Sequence, residues 1–168
     1  WSFIKKYKAT SISGTPYSFE ILKKLRFFNM ELPFLKTLTQ AGGKLSKQLS
    51  LEFAKFCLDT KKRFFVMYGQ TEASPRMSFL PNDKAILKNG SIGIPIPGGK
   101  FELIDESGNK IQDNYTEGEL VYYGENVSLG YASSIRDLSK NDDNKGVLKT
   151  GDMAKRDHDS FYYIVGRK

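Results

Sequence analysis

The sequence predicts an α/β region followed by a β-rich region: part of a parallel α/β sheet subdomain, then a small antiparallel β-barrel subdomain. In the first half, helix-like and strand-like patterns alternate along the chain, which is typical of a parallel sheet. From about residue 89, short strand-like runs are separated by turn residues, which is typical of a small antiparallel barrel or a curled sheet. We therefore expect two subdomains, residues 1–88 and residues 89–168.

The first half contains signals for two helices and two strands. Thr15 followed by Pro16 predicts a helix start, with threonine as the cap and proline at the first helical position. Ser46 predicts the start of a second helix, whose apolar residues recur on one face. Cys57 lies on that face, so we expect a thiol in the core and not a nucleophile. Strands are expected at residues 34–39 and 63–67.

The second half contains signals for short strands joined by turns. Strands are expected at residues 101–104, 118–124, 147–150, 153–156 and 161–165. His158 lies in a polar run between the last two, which predicts a hairpin turn and gives no support to a catalytic role.

Composition and charge exclude several classes of function. No apolar run approaches 18 residues and the start has no signal-peptide layout, so we expect a cytoplasmic protein without a membrane span. The single cysteine and single histidine argue against a zinc site. The net charge of +7 comes from scattered lysines, which favours an acidic ligand such as a nucleotide over a nucleic acid. Both ends lie in mid-pattern, and we expect a segment of a longer protein.

The most informative run is Tyr68-Gly69-Gln70-Thr71-Glu72, which directly follows a predicted buried strand. Ligands of open α/β sheets bind at the carboxyl ends of strands. An aromatic face can stack on a purine, a hydroxyl can donate to a phosphate oxygen, and a carboxylate can hold magnesium. The alternative for this run by itself is a strand followed by a surface turn.

Three glycine-containing segments also allow a binding interpretation and a structural one. Residues 40–45 follow a strand and open a helix, so a glycine pair there could approach a flat ligand or form a tight turn. Residues 150–152 end in a carboxylate that could accept hydrogen bonds from ribose hydroxyls, or form an ordinary turn. Residues 93–101 look like a phosphate loop, but their spacing and two prolines indicate a structural turn.

In their order along the chain, these motifs resemble the adenylate-forming enzymes, which include acyl-CoA synthetases, luciferase-type ligases and peptide-synthetase adenylation domains. Five segments carry the resemblance over nearly the whole chain: Gln40–Leu45, Tyr68–Glu72, the Gly-Glu-Leu…Gly-Tyr segment Gly118–Tyr131, Thr150–Asp152 and Gly166-Arg167. Within this family, the chain resembles the bacterial acyl-CoA synthetase-like ligases.

The resemblance implies activation of a carboxylic acid by ATP with Mg²⁺, giving an acyl adenylate. The acyl group then passes to a thiol such as that of CoA, with a carrier protein as the alternative acceptor. It implies catalytic roles for Thr71 at the α-phosphate and for Glu72 as the magnesium ligand. The implied nucleotide-binding residues are Gly42, Gly43, Lys44, Tyr68, Gly69, Gln70, Asp152 and Arg167. By adjacency, Ala73, Ser74 and Met77 are expected near the acyl pocket.

Two other interpretations stay open at this point. The chain could be a non-catalytic member of the family that holds a nucleotide or a protein partner, or a basic β-barrel that binds nucleic acid. The family's lysine-bearing phosphate loop and its small C-terminal domain have no counterpart in these 168 residues. We therefore expect the chain by itself to bind ATP weakly at best and not to form an adenylate.

Overall fold

The computed structural model describes residues 1–168 and separates into two compact units. The first unit contains residues 1–67 and 80–91, and the second contains residues 68–79 and 92–168. No helix in either unit combines the length and the apolar character needed to cross a membrane.

The first unit is built on parallel strands. Strands β1 (Ser11–Gly14) and β2 (Thr37–Gln40) pair in parallel, and β2 pairs in parallel with β3 (Arg63–Tyr68), whose last residue belongs to the second unit. Three helices alternate with them: α1 (Ser2–Lys6), α2 (Pro16–Lys24) and α3 (Lys47–Asp59). The predicted parallel α/β arrangement is confirmed. Strand β1 was not predicted, and β2 begins three residues later than expected because residues 33–34 form a turn.

Both predicted helix caps are present. Oγ1 of Thr15 accepts a hydrogen bond from the backbone N–H of Ser18 at 3.5 Å, and Oγ of Ser46 accepts from the N–H of Leu49 at 3.3 Å. Each cap satisfies one of the N–H groups that a helix start leaves without an intrahelical partner. The caps therefore set where α2 and α3 begin.

The core of the first unit is aromatic. Phe19, Phe53 and Phe64 are fully buried, and the Phe19 and Phe53 rings meet edge to face with centroids 4.8 Å apart. Such pairs add about 0.5–1.5 kcal/mol to the stabilisation from burial. Cys57 is fully buried in the same unit, and this burial raises the pKa of its thiol to about 12. The prediction of a core thiol is confirmed.

The second unit is dominated by an antiparallel sheet. A short pair, β4 (Ser78–Leu80) and β5 (Ile94–Pro95), precedes the four strands β6 (Lys100–Ile104), β7 (Gly118–Tyr123), β8 (Val147–Arg156) and β9 (Tyr162–Arg167). The four pair in the order β6-β7-β8-β9.

The β-rich character of the second half is confirmed, and the four strands form an open sheet instead of a closed barrel. Strands β6 and β9 lie at opposite edges. Short loop segments bond to each edge: Lys110 bridges to Ile104 beside β6, and Gly93 bridges to Tyr162 beside β9. Because loops satisfy part of each edge, the sheet does not need to close on itself.

Strand β8 corrects one detail of the sequence prediction. Two strands were expected, at residues 147–150 and 153–156, but β8 runs without interruption from Val147 to Arg156. Gly151 has a φ of +69°, and the pairing with β7 shifts register opposite Glu119 and Val121. The chain therefore absorbs the unusual glycine conformation as a β-bulge and not as a turn. His158 lies in the tight connection between β8 and β9, as predicted.

Candidate functional site

Tyr68 and Gln70 of the Tyr68–Glu72 run meet strand β8 at Asp152. Oη of Tyr68 donates a hydrogen bond to Oδ2 of Asp152 at 2.6 Å. Nε2 of Gln70 donates to the same oxygen at 3.1 Å and to the carbonyl oxygen of Thr150 at 2.8 Å. Residues 80 to 84 positions apart in the sequence thus form one network within the second unit.

The Thr-Gly-Asp sequence explains how the strand presents this carboxylate. The Thr150 hydroxyl donates to the carbonyl oxygen of Leu120 in β7 at 2.8 Å and accepts from the N–H of Asp152 at 3.1 Å. Gly151, between them, has the positive φ that glycine adopts without steric cost. The side chain of Thr150 is buried, so the bulge is held from inside the sheet. Asp152 is therefore oriented by its own backbone before any ligand arrives.

Arg167 approaches the same carboxylate from the neighbouring strand. Asp152 and Arg167 are direct partners in the pairing of β8 with β9. Nη1 of Arg167 lies 3.5 Å from Oδ1 of Asp152, and the Arg167 side chain is 74% exposed. An exposed ion pair of this kind contributes about 0–1 kcal/mol to stability, so the guanidinium remains available to a ligand.

The phenol of Tyr68 stays neutral in this environment. Burial raises the pKa of Tyr68 well above its ordinary value, and the hydrogen bond to the Asp152 carboxylate raises it further. A neutral phenol keeps its proton and continues to donate to Asp152. The Tyr68 ring also packs on the apolar core of the second unit, with the Phe101 ring at 6.3 Å between centroids.

Gly69 is required by the path of the chain. A Cβ atom at this position would lie 1.6 Å from the carbonyl oxygen of Pro75 and 2.5 Å from its carbonyl carbon. The N–H of Met77 donates to the carbonyl oxygen of Tyr68 at 3.0 Å and closes the same segment. The run after β3 therefore folds back on itself so tightly that only glycine fits at position 69.

Thr71 and Glu72 lie in the fold-back, in the short 3-10 helix Thr71–Ala73. Thr71 is exposed and Glu72 is partly exposed. Oε1 of Glu72 accepts a hydrogen bond from Oη of Tyr131, and this bond is the largest cause that lowers the pKa of Glu72 below its ordinary value. Glu72 is therefore an ionised carboxylate at neutral pH.

The other expected nucleotide-binding residues, Gly42, Gly43 and Lys44, belong to the first unit. Gly42 has a φ of +79° and Gly43 a φ of +154°, which explains the glycine pair. A Cβ at Gly43 would lie 3.2 Å from Cγ of Pro16, and Nε2 of Gln40 donates to the carbonyl oxygen of Gly43 at 2.8 Å. The loop is a defined, exposed turn, and its contact with a purine stays a prediction.

Two of the residues expected near the acyl pocket are core residues. Ala73 and Met77 are fully buried in the apolar cluster of the second unit. They contribute to packing and not to an open cavity, because no side-chain surface is left to meet a ligand. Ser74 is exposed, and its hydroxyl donates to the carbonyl oxygen of Asn126 at 3.1 Å.

Two contacts at this site do not follow from the sequence. Tyr131 was noted only as part of the Gly-Tyr signature, and its contact with Glu72 was not foreseen. Nε2 of Gln70 donates to the carbonyl oxygen of Thr150 and to Asp152, and the expected contact of Gln70 with a nucleotide stays a prediction. The sequence shows an amide within the Tyr68–Glu72 run and a tyrosine after Gly130, but neither residue type predicts which side chain it will contact.

The donors around Glu72 fit a magnesium ion that is shared with a phosphate. Mg²⁺ commonly takes one or two carboxylates and completes its shell with water and substrate phosphates. Glu72 offers one ionised carboxylate, and the structure contains no group of three or more acidic, histidine or cysteine side chains that would form a protein-only cage. One carboxylate would leave most of the coordination shell of such an ion to water or to a phosphate ligand.

Comparison with known proteins gives a consistent set of matches. Residues 1–132 match the protein family described as AMP-binding enzyme. The long-chain-fatty-acid–CoA ligase of Escherichia coli O157:H7 is 32% identical over 168 residues, which cover 98% of this chain and 28% of that protein. The probable 4-coumarate–CoA ligase 2 of Dictyostelium discoideum is 30% identical over 165 residues, covering 98% of this chain and 29% of that protein. The chain thus spans less than a third of the length of these curated relatives.

Solved structures agree with these relatives. The o-succinylbenzoate CoA synthetase MenE of Bacillus subtilis, in complex with the acyl-adenylate intermediate OSB-AMP, has a TM-score of 0.81 at 25% identity over 99% of this chain and 33% of that chain. The same enzyme in complex with ATP and a magnesium ion has a TM-score of 0.79 at 25% identity, with the same coverage. The N-terminal domain of FACL13 from Mycobacterium tuberculosis, at 19% identity over 100% of this chain and 41% of that chain, shares the fold with a TM-score of 0.81.

Proposed function

The chain belongs to the AMP-binding enzyme family, and from this premise we propose that the protein containing it activates a carboxylic acid with ATP and transfers the acyl group to a thiol. Coenzyme A is the acceptor we favour, because the relatives that match the chain are CoA ligases. This chain would contribute the ribose side and the magnesium side of the nucleotide site. A carrier protein is the alternative acceptor.

The observation that carries this proposal is the oriented carboxylate of Asp152. Tyr68 and Gln70 both donate to Oδ2, and Arg167 lies near Oδ1. A ribose presents two neighbouring hydroxyl donors, which suit a carboxylate flanked by a cation. Hydrogen bonds to a charged group contribute about 1.5–3 kcal/mol each. Because the carboxylate is held before binding, little ordering is required when the sugar arrives.

The face of Tyr68 would support the adenine. Gly42, Gly43 and Lys44 of the first unit are assigned to nucleotide binding by the family motif that they match. Asp152 holds the hydroxyl end of the phenol, and the ring packs against the apolar cluster of the second unit. A ring restrained in this way is a suitable stacking surface for a purine. Gly69 would allow the backbone to pass close to the same site.

Thr71 and Glu72 would act where charge accumulates. Attack of a carboxylate on the α-phosphate brings two anions together, and the exposed Thr71 hydroxyl would donate to a phosphate oxygen. Glu72 would hold magnesium, which when bound supplies positive charge against the phosphate oxygens. No covalent nucleophile is needed, and the single thiol of the chain, Cys57, is buried.

Two alternatives are less well supported. A nucleic-acid binder was inferred from a basic closed barrel, but the sheet of the second unit is open and the chain belongs to an enzyme family. A non-catalytic family member that binds nucleotide without turnover can be distinguished from an enzyme only by an activity assay of the complete protein. That alternative predicts nucleotide binding with no acid-dependent exchange of pyrophosphate into ATP.

The test uses the 168-residue chain first and the complete protein second. AMP titrated into the chain should shift the amide NMR signals of Gly151, Asp152 and Arg167. Asp152→Asn should weaken AMP about tenfold, because the amide keeps the shape but loses the charge. Asp113→Asn, an exposed carboxylate of the same unit, is the matched control.

In the complete protein, Asp152→Asn and Glu72→Gln should each reduce acid-dependent pyrophosphate exchange. Full exchange activity in both variants would contradict the assigned roles. AMP-induced shifts confined to other parts of the chain would contradict the position of the site.

A further inference from the structure

Tyr131 lies in the loop after β7 and contacts Glu72. The sequence does not predict this contact, because the two residues are 59 positions apart. Tyr131 is 77% exposed, so burial of apolar surface does not explain why a large aromatic residue lies there. Its hydroxyl donates a hydrogen bond to Oε1 of Glu72. That hydrogen bond is the interaction that accounts for the placement of the side chain.

Other hydrogen bonds hold the segments of Tyr131 and Glu72 together independently of the bond between the two side chains. The N–H of Ser128 donates to the carbonyl oxygen of Glu72 at 2.7 Å. Nδ2 of Asn126 donates to the carbonyl oxygen of Ala73 at 2.6 Å, one residue further on. The loop that bears Tyr131 is therefore docked along the segment that bears Glu72.

The other side of this loop is also fixed. Nδ2 of Asn144, shortly before β8, donates to the carbonyl oxygen of Ser128 at 2.7 Å, and the N–H of Asp143 donates to the carbonyl oxygen of Leu129 at 2.8 Å. The backbone on which Tyr131 stands is thus anchored between two segments of the same unit. Its hydroxyl meets a fixed target.

We propose that Tyr131 is a positioning residue for Glu72: its hydroxyl holds one carboxylate oxygen and leaves the other for a divalent cation. The inference rests on the proposed function, in which Glu72 is the magnesium ligand. Carboxylates that ligate metals are usually hydrogen-bonded themselves, and loss of such a partner lowers metal affinity by about 10–100-fold. A carboxylate has lone pairs enough to accept the phenol and bind a cation together.

The first experiment measures cation binding and does not depend on turnover. Mn²⁺ is titrated into the 168-residue chain in the presence of ATP, and the paramagnetic broadening of the amide signals of residues 71–73 is followed. Tyr131→Phe should raise the Mn²⁺ concentration at half-maximal broadening about tenfold. AMP affinity measured without a metal should not change.

Tyr115→Phe is the matched control. Tyr115 is also exposed and also uses its hydroxyl, which lies 2.6 Å from Nδ1 of His158 in the same unit. Removing that hydroxyl tests the general cost of losing a surface tyrosine hydrogen bond. The Mn²⁺ midpoint of Tyr115→Phe should equal that of the unaltered chain.

The second experiment separates a positioning role from a structural one. If Tyr131 acts through Glu72, then Tyr131→Phe should add nothing to the Mn²⁺ midpoint of Glu72→Gln. An additional loss in the double variant would overturn the inference, because it would show an effect that does not pass through the carboxylate.

The outcomes also distinguish this inference from the proposed function. If Glu72→Gln weakens Mn²⁺ binding but Tyr131→Phe behaves like Tyr115→Phe, the positioning role is wrong and the metal assignment stands. If Glu72→Gln leaves Mn²⁺ binding unchanged, the metal assignment in the proposed function is itself wrong.

Discussion

Substitution of Gly69 by alanine is the most direct test of the local geometry. The added Cβ would lie 1.6 Å from the carbonyl oxygen of Pro75, whereas ordinary contact begins near 3.4 Å. The Pro75 carbonyl would have to retreat by about 2 Å to make room. This carbonyl is backbone, so no side-chain rotation can relieve the overlap.

The cost follows from what resists that retreat. Nδ2 of Asn126 donates to the carbonyl oxygens of Ala73 at 2.6 Å and of Arg76 at 3.1 Å, on both sides of Pro75. Each hydrogen bond that is lost costs about 0.5–1.5 kcal/mol. Overpacking of a well-packed site costs about 1–3 kcal/mol. We therefore expect Gly69→Ala to lower the free energy of unfolding by about 3 kcal/mol.

Urea unfolding followed by circular dichroism measures this difference. Gly166→Ala is the control, because a Cβ at Gly166 in β9 meets no atom within 4 Å. Such a substitution should change the free energy of unfolding by less than about 1 kcal/mol. If Gly69→Ala were as stable as Gly166→Ala, the tight fold-back after β3 would be wrong, and with it the presentation of Thr71 and Glu72.

Two further predictions concern hydrogen bonds to carboxylates. Tyr68→Phe removes the 2.6 Å donor to Asp152 and should lower the free energy of unfolding by about 1.5–3 kcal/mol in urea titrations, and an unchanged midpoint would show that the bond contributes nothing. The hydrogen bonds from Lys100 and then Lys110 lower the pKa of Glu102 to about 2, from an ordinary value of 4.5. Because the folded-state pKa is depressed, the stabilisation of the fold by the ionised Glu102 is complete above pH 4.5 and is lost as the pH falls toward 2. As the pH falls through this range, the melting temperature of Glu102→Gln should decline less than that of the unaltered chain.

Features that depend on neighbouring residues could be read from the sequence. The caps at Thr15 and Ser46 and the inward stripe of α3 were predicted correctly, because capping and helical periodicity involve residues within a few positions of each other. Family membership followed from the order of short motifs along the chain and is confirmed by the match of residues 1–132. Those motifs also include every residue that forms the Asp152 network.

Features that depend on strand pairing could not be read in the same way. The continuity of β8 through Gly151 was missed, because a glycine in a strand looks like a turn unless the neighbouring strands are known. The sequence also could not distinguish a closed barrel from an open, curled sheet, because closure depends on what bonds to the two edge strands. The expected cytoplasmic location stays a prediction.

The sequence by itself determined which chemical groups stand in the family motifs of this chain: an aromatic ring, a hydroxyl, two carboxylates and a guanidinium. Only the tertiary structure decided which of these groups touch. The pairing of β8 with β9 sets Arg167 beside Asp152, and the docked loop after β7 sets Tyr131 against Glu72. The physical reason is that hydrogen bonds between distant residues depend on strand register and loop path, which the packing of the whole unit selects.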